Sequence, residues 1–401
     1  MKIRTPEYYK DFKCIAGDCT DTCCAGWDVD VDEQSYRTYK KVKGAFGKRL
    51  KSVMVPSEEG GCTFTLKAGR CPFLNDENLC DLFIELGEDQ LCETCAEFPR
   101  FINEYGNIRE LGIAPSCKTA GELMFQYRKK LTFTVEENDE LPTTYNDIDP
   151  QLFFMLSAAR ECAYSIIQLD ELSIKERCVL LLEMAVRIQK KMDADRDDLI
   201  ANVINQFGDD EYCEKLLMKL KKKYQHEKSE IDKEEENGAQ KILPTYFHRF
   251  KGMEVINPDW NKYVELVKKF FCKIELEKQE NIGNTWKELE KEFDTYYADR
   301  QFEYEQLLMY YIYRYFLDAV NDINVLLKVK NGVIGYLVLK TMDVAAWVEN
   351  GKQLTLSEQV DMAHLYSRQF EHSYYNFEVY SERFQKSRKY SYATLMRLLL
   401  N

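Results

Sequence analysis

Ten of the fourteen cysteines in this 401-residue chain lie at or before residue 117, and no other feature limits the possible folds as strongly. They are Cys14, Cys19, Cys23, Cys24, Cys62, Cys71, Cys80, Cys92, Cys95 and Cys117. The other four, Cys162, Cys178, Cys213 and Cys272, are scattered through the rest of the chain. The opening segment MKIRTPEYYKDFKC has no apolar export core, so the expected location is cytoplasmic. A disulfide lattice would be reduced there. Dense thiols in that setting more often bind metal. The scattered four suit a different role, that of small buried hydrophobes.

The N-terminal spacing is C-x4-C-x3-C-C, then C-x8-C-x8-C-x11-C-x2-C, then Cys117. The expected metal set is Cys14, Cys19, Cys23, Cys24, Cys71, Cys80, Cys92, Cys95 and Cys117. Thiolates suit both zinc and iron–sulfur clusters, and both take four. Nine sulfurs exceed one site, so either two sites exist or some cysteines stand behind the ligands. The C-x3-C-x2-C signature of radical enzymes that cleave S-adenosylmethionine is absent, because Gly26 stands where the third cysteine would be.

Three parts are expected along the chain. Residues 1–131 form a cysteine-rich metal-cluster region of short helices and loops, with small strands allowed. Residues 132–150 are acidic, contain two prolines and read as a linker. Residues 151–401 carry apolar positions three and four apart and read as an all-helical domain. Helices are expected near 151–168, 174–192, 196–223, 259–280, 282–297, 300–329, 332–348, 355–376 and 378–400. The fold class is therefore mainly α, a cysteine-rich region packed on a larger helical body. No G-x-G-x-x-G follows a strand pattern, so a Rossmann core is not expected. The net charge of −13 argues against nucleic acid as a partner. No apolar run approaches the length of a membrane helix, so no membrane partner is expected either.

At the cysteines the sequence resembles the flagellin lysine-N-methylase family. The carriers are Tyr8-Tyr9-Lys10-Asp11-Phe12-Lys13-Cys14, Cys19 and Cys23-Cys24-Ala25-Gly26-Trp27-Asp28. They continue with Cys71-Pro72-Phe73-Leu74, Leu79-Cys80, Leu91-Cys92, Cys95 and Phe98-Pro99-Arg100. Part of this pattern is also similar to a wider group of cysteine-cluster proteins, a resemblance that implies zinc or iron chelation. Further on, Arg314-Tyr315-Phe316-Leu317-Asp318-Ala319 and Tyr366-Ser367-Arg368-Gln369-Phe370-Glu371-His372-Ser373 resemble the family's helical part. The resemblance implies methyl transfer from S-adenosylmethionine to lysine amines of flagellin. It also implies a [4Fe-4S] cluster on the cysteines, with structural zinc as the alternative. A rival expectation is a non-enzymatic scaffold that binds metal or flagellin.

Two segments could serve such chemistry. Residues 302–316, FEYEQLLMYYIYRYF, place Tyr304, Tyr311 and Tyr315 on one side of a helix, and Tyr310 with Tyr313 on another. They would form an aromatic cage for a sulfonium or ammonium, or an aromatic core stripe. His364, Arg368 and His372 recur every fourth residue, with Glu371 beside them. They would clamp a carboxylate and relay a proton, or form a solvated polar face. The expected catalytic residues are Tyr311, Tyr315, His372 and Glu371. The residues expected to bind the cofactor are Arg314, Arg368, Trp27 and Arg100.

Overall fold

The computed structural model describes every residue except 27–28, 59, 143–147, 232–237, 251, 280–284 and 401, and leaves the side chains of 17, 225–231 and 278–279 undescribed. Trp27 therefore lies outside the described residues. The molecule is mainly helical, and all seven described strands fall within the first 137 residues.

Those strands form two sheets. β1 (Lys2–Pro6), β5 (Arg100–Tyr105), β6 (Ile108–Ile113) and β7 (Phe133–Glu137) make a four-stranded sheet in the order β5-β6-β1-β7. β5 and β6 are an antiparallel hairpin closed at Gly106, whose φ of 60° suits a residue without a Cβ. β1 runs parallel to β6, with Lys2 opposite Ile108, and antiparallel to β7, with Pro6 opposite Phe133. The segment expected to be a linker thus begins with a sheet strand. Its pairing partner is the very start of the chain, which local sequence cannot reveal. β2 (Val29–Val31), β3 (Met54–Pro56) and β4 (Cys62–Phe64) make the second sheet, in the order β2-β4-β3.

The two sheets belong to different cores. Tyr8, Phe12, Phe101, Tyr105 and Ile113 join the core of the helical body. Phe133 packs on Tyr164 and Tyr313, with ring centroids 4.9 and 4.6 Å apart. Glu110 receives Arg160 Nη1 at 2.6 Å, both side chains fully buried. The second sheet builds a small separate core from Val29, Val31, Tyr36, Tyr39, Leu50, Phe64, Phe73 and Leu82, together with Cys62, Cys71 and Cys92. We call this part the cysteine lobe.

The helical body follows the apolar spacing closely. Pro150–Ile167 starts on Asp149, whose side chain accepts from the Gln151 and Leu152 amides. Ile174–Met192 and Leu356–Glu371 each start with a complete capping box, Ser173 with Glu176 and Thr355 with Glu358. Three expected helices are divided. Residues 196–223 break at Gly208, the stretch 300–329 breaks at the left-handed Ile323, and 378–400 breaks around Ser387–Ser391. A further helix, Gly238–Arg249, lies in a stretch for which no helix was expected.

Val325–Glu349, the central helix, is buried on nearly every side. Gln301–Tyr315, the tyrosine helix, lies against it. Gly332 and Gly335 make that approach possible, because a Cβ on either would stand 3.1 or 3.0 Å from Tyr311 atoms. No helix among the described residues is long and apolar enough to cross a membrane.

Candidate functional site

The Leu356–Glu371 helix, here the histidine helix, faces the N-terminal cysteines on one side and the end of the tyrosine helix on the other. Two groups of polar side chains meet on it, one helical turn apart.

The first group fastens the Cys19–Cys23 loop. His364 Nε2 pairs with the Asp21 carboxylate. Arg368 Nη1 donates to Asp21 at 3.1 Å and to the Thr22 carbonyl at 2.8 Å, and its Nη2 donates to the Ala25 carbonyl. Both His364 and Arg368 are only 2% exposed. Burial alone would raise the Asp21 carboxyl, but the hydrogen bond and charge of His364 and the Arg368 guanidinium outweigh it and hold it well below the usual carboxylate range. Arg368, expected to clamp a cofactor, spends its donors on this loop. His364 Nδ1 and Arg368 Nε are buried without a hydrogen bond.

The second group surrounds Glu371. Tyr310 Oη lies 3.0 and 2.9 Å from its two oxygens, and Tyr315 Oη donates to Oε1 at 2.8 Å. Ser367 Oγ also donates, and Arg314 Nη1 lies 3.3 Å from Oε2. Arg314 Nη1 donates to Tyr310 Oη at 2.6 Å as well. The guanidinium lies over the rings of Phe101 at 4.9 Å and Tyr315 at 5.2 Å. Tyr315 stacks on Phe377. Asn103 of β5 donates to the Arg314 carbonyl at 2.8 Å, so the four-stranded sheet fixes this end of the tyrosine helix.

Four donors thus converge on one buried carboxylate. Such a group is a good partner for positive charge. Burial raises the phenols of Tyr310, Tyr311 and Tyr315 far above their ordinary range, so they remain protonated. The His372 imidazole is pushed down to about 3 by burial and by the charges of Arg368, Arg314 and His364. It stacks on Phe98 with centroids 5.6 Å apart, and it is neutral at pH 7.

The expected site residues therefore separate. Tyr315, Glu371 and Arg314 meet directly, with His372 next in the chain. Tyr311 is buried and packs on the central-helix glycines. Arg100 lies over Phe12 at 5.4 Å, with its charge near Tyr9. The sequence did not single out Asp21, Ser367 or Asn103. Only the position of Asp21 between two cysteines offered a signal.

The cysteines gather without disulfides. Cys71, Cys92 and the partly buried Cys24, Cys80 and Cys95 pack in the lobe core. Burial lifts the Cys71 thiol to about 11, with the nearby sulfurs of Cys80, Cys92 and Cys23 adding to the effect. The side chains of Cys92 and Cys95 influence each other, which lowers the Cys92 thiol and raises that of Cys95. Cys23 Sγ lies 3.8 Å from Cys24 Sγ. Cys117 packs against the body core, and burial raises it to about 11, with Cys19 and Cys23 nearby. Cys19 is raised by burial, with smaller contributions from the neighbouring Cys23 and Cys14. No three His, Cys, Asp or Glu among the described residues are arranged to hold a single metal ion.

The family model of the FliB lysine N-methylase C-terminal domain matches residues 160–399, a stretch that holds all of the Glu371 group and none of the N-terminal cysteines. Flagellar biosynthetic protein FliU of Salmonella muenchen is 26% identical over 123 residues, covering 29% of this chain and 73% of that protein. Lysine-N-methylases of Salmonella choleraesuis and Salmonella typhimurium are 26% identical over the same length. The match spans only 31% of each of those two proteins. No solved structure matches.

Proposed function

The chain belongs to the FliB lysine N-methylase family, and from that premise we propose that it methylates lysine side chains of flagellin, with S-adenosylmethionine as methyl donor and the Glu371 group as the place where positive charge is held. The observation that carries this reading is the coincidence of the family match with an anionic, aromatic-lined centre at Glu371, Tyr310, Tyr315 and Arg314.

In the reaction the lone pair of a neutral lysine nitrogen attacks the methyl carbon. The carbon–sulfur bond breaks, leaving a neutral thioether, and the new ammonium releases a proton. Lysine must first lose its own proton, which at pH 7 costs about 4.6 kcal/mol from an ordinary pKa near 10.4. The protonated tyrosines and the neutral His372 do not supply a strong base. Desolvation beside the rings of Tyr315 and Phe377 is the route that these residues favour. Positive charge passes from sulfur to nitrogen, and Glu371 stabilises it at both ends. Arg314 is one-fifth exposed and, among the described residues, makes its side-chain hydrogen bonds through Nη1. It is the residue placed to meet the carboxylate of the donor.

For the metal, the donor set that fits is Cys24, Cys71, Cys80, Cys92 and Cys95, with Cys14, Cys19, Cys23 and Cys117 along its edge. A single tetrahedral zinc needs its thiolates about 2.3 Å from one centre, and the thiols are not drawn together that way. An iron–sulfur cluster places each thiolate on a different iron, and gathered but separated sulfurs fit it better. When bound, it supplies anchorage to a lobe with little apolar core of its own.

The test is purified protein incubated with isotope-labelled S-adenosylmethionine and flagellin, followed by mass spectrometry of the peptides. Label on lysine that is lost in the Glu371→Gln variant supports the reading. No label on lysine with the wild-type, metal-loaded protein rejects it.

A further inference from the structure

A polar cavity opens at the other end of the tyrosine helix. Phe302 and Glu305 line it, whereas Arg314 stands nine to twelve residues further on, roughly 14–18 Å along the axis at about 1.5 Å per residue. Its volume is about 620 Å³. Close-packed interiors leave few voids larger than a water molecule. Small-molecule sites occupy about 300–1,000 Å³.

Buried charges form the floor. Lys340, 3% exposed, pairs with Asp294 at 2.7 Å. Arg177 Nη1 and Lys130 Nζ both reach Glu305 Oε2, at 2.7 and 2.9 Å. Lys175 reaches Glu290 at 2.7 Å. Burying ion pairs in this number costs several kcal/mol per ion unless each is well paired, and apolar side chains would serve the fold at least as well. With Asp170 also on Lys130, four cations meet four anions, and the pairs make a polar, electrically balanced wall.

The rim differs. Arg128 lies over the Phe302 ring at 4.9 Å, and its side chain has no hydrogen bond or ion pair among the described residues. The carboxylates of Glu171 and Asp299, on the facing segments, have none either. One lone guanidinium and two lone carboxylates thus surround the mouth of a preformed cavity. A guanidinium with a free fork matches a carboxylate, and each free carboxylate matches a positive centre.

We propose that this cleft binds a small cationic α-amino acid, with its carboxylate on Arg128 and its two positive centres toward Glu171 and Asp299. The occupant this fits is free lysine. S-adenosylmethionine shares the chemistry, but the methyl-transfer reading above places it at Arg314 and Glu371, so the test separates the two.

The experiment is calorimetric titration of the full-length, metal-loaded protein with L-lysine and, separately, with S-adenosylmethionine. Arg128→Ala, Asp299→Asn and Arg314→Lys variants are run beside the wild type. The expected result is that L-lysine binds the wild type and that its Kd rises about tenfold or more in Arg128→Ala and in Asp299→Asn, whereas the Kd of S-adenosylmethionine rises in Arg314→Lys. Arg128 and Asp299 are exposed, so both variants should fold, and their melting curves check this. Failure of L-lysine to bind overturns the proposal. Lysine binding weakened only by Arg314→Lys also overturns it and places the ligand at Glu371. Lysine bound in the cleft by a protein that never labels flagellin would keep this proposal and reject the methyl-transfer reading.

Discussion

Arg314 and Glu371 face each other across two helices, Nη1 to Oε2 at 3.3 Å, with the carboxylate 3% exposed and the guanidinium one-fifth exposed. A pair this sheltered cannot lose one member without stranding the other. Glu371→Gln is expected to cost about 2 kcal/mol of stability, the usual penalty for a broken buried pair reduced for the exposure of Arg314. It should also lower lysine methylation about 100-fold, as for removal of a preorganised electrostatic group. Denaturant unfolding and peptide mass spectrometry measure the two effects. Full methylation by a destabilised variant would confine Glu371 to a structural role.

The neutral His372 gives a pH signature. Its folded pKa is about 3, below the ordinary 6.5. Above pH 6.5 folded and unfolded states are both neutral and the residue adds no pH dependence. As pH falls from 6.5 toward 3 the unfolded chain takes up a proton that the folded chain does not, so stability is lost over that window. His372→Phe should flatten the fall in melting temperature between pH 6.5 and 4.

Asp21 behaves in the opposite region. Its folded pKa is depressed by its bonds to His364 and Arg368. Its contribution is full above the ordinary carboxylate pKa near 4 and is lost as pH falls below it. Asp21→Asn should unfold more readily than wild type at pH 6, with the gap closing in strong acid. An unchanged gap from pH 6 to pH 2 would mean that the carboxylate charge does not hold the loop.

Cysteine variants divide the thiols. Cys92→Ser or Cys95→Ser should lose bound metal and solubility together. Cys213→Ser should lose neither, since Cys213 is buried and gives its thiol to the Phe207 carbonyl at 3.4 Å. Iron, zinc and sulfide analysis after anaerobic purification measures the outcome. A colourless preparation containing zinc alone would favour the structural-zinc alternative.

Gly335→Ala tests the contact between the tyrosine and central helices. The added methyl would stand 3.0 Å from the Tyr311 ring, and overpacking of this kind costs about 1–3 kcal/mol. A lowered denaturant midpoint with an unchanged slope would report it. No change would show that the ring moves aside freely.

What could be read from the sequence was what depends on near neighbours. Arg314 and Tyr315 are adjacent, and the spacing of His364, Arg368 and Glu371 follows from helical periodicity. The body helices were legible because their apolar faces repeat every three to four residues, and their breaks came at residues such as Ile323, whose left-handed backbone has no signature in its side chain. The four-stranded sheet was not legible. β1 pairs with strands more than 100 residues away, and each strand has only five or six residues. Asp21 escaped notice for the same reason, since its partner His364 is 343 positions along the chain.

The grip of Arg368 on the Thr22 and Ala25 carbonyls has a mechanical meaning. Arg368 is three residues before Glu371 on the same helix, and the backbone it holds runs through Cys23 and Cys24. A shift in those sulfurs pulls on that turn and so on the carboxylate one turn above. The cysteine loop and the Glu371 group are geared together through one arginine, and whatever moves the loop is felt at the carboxylate.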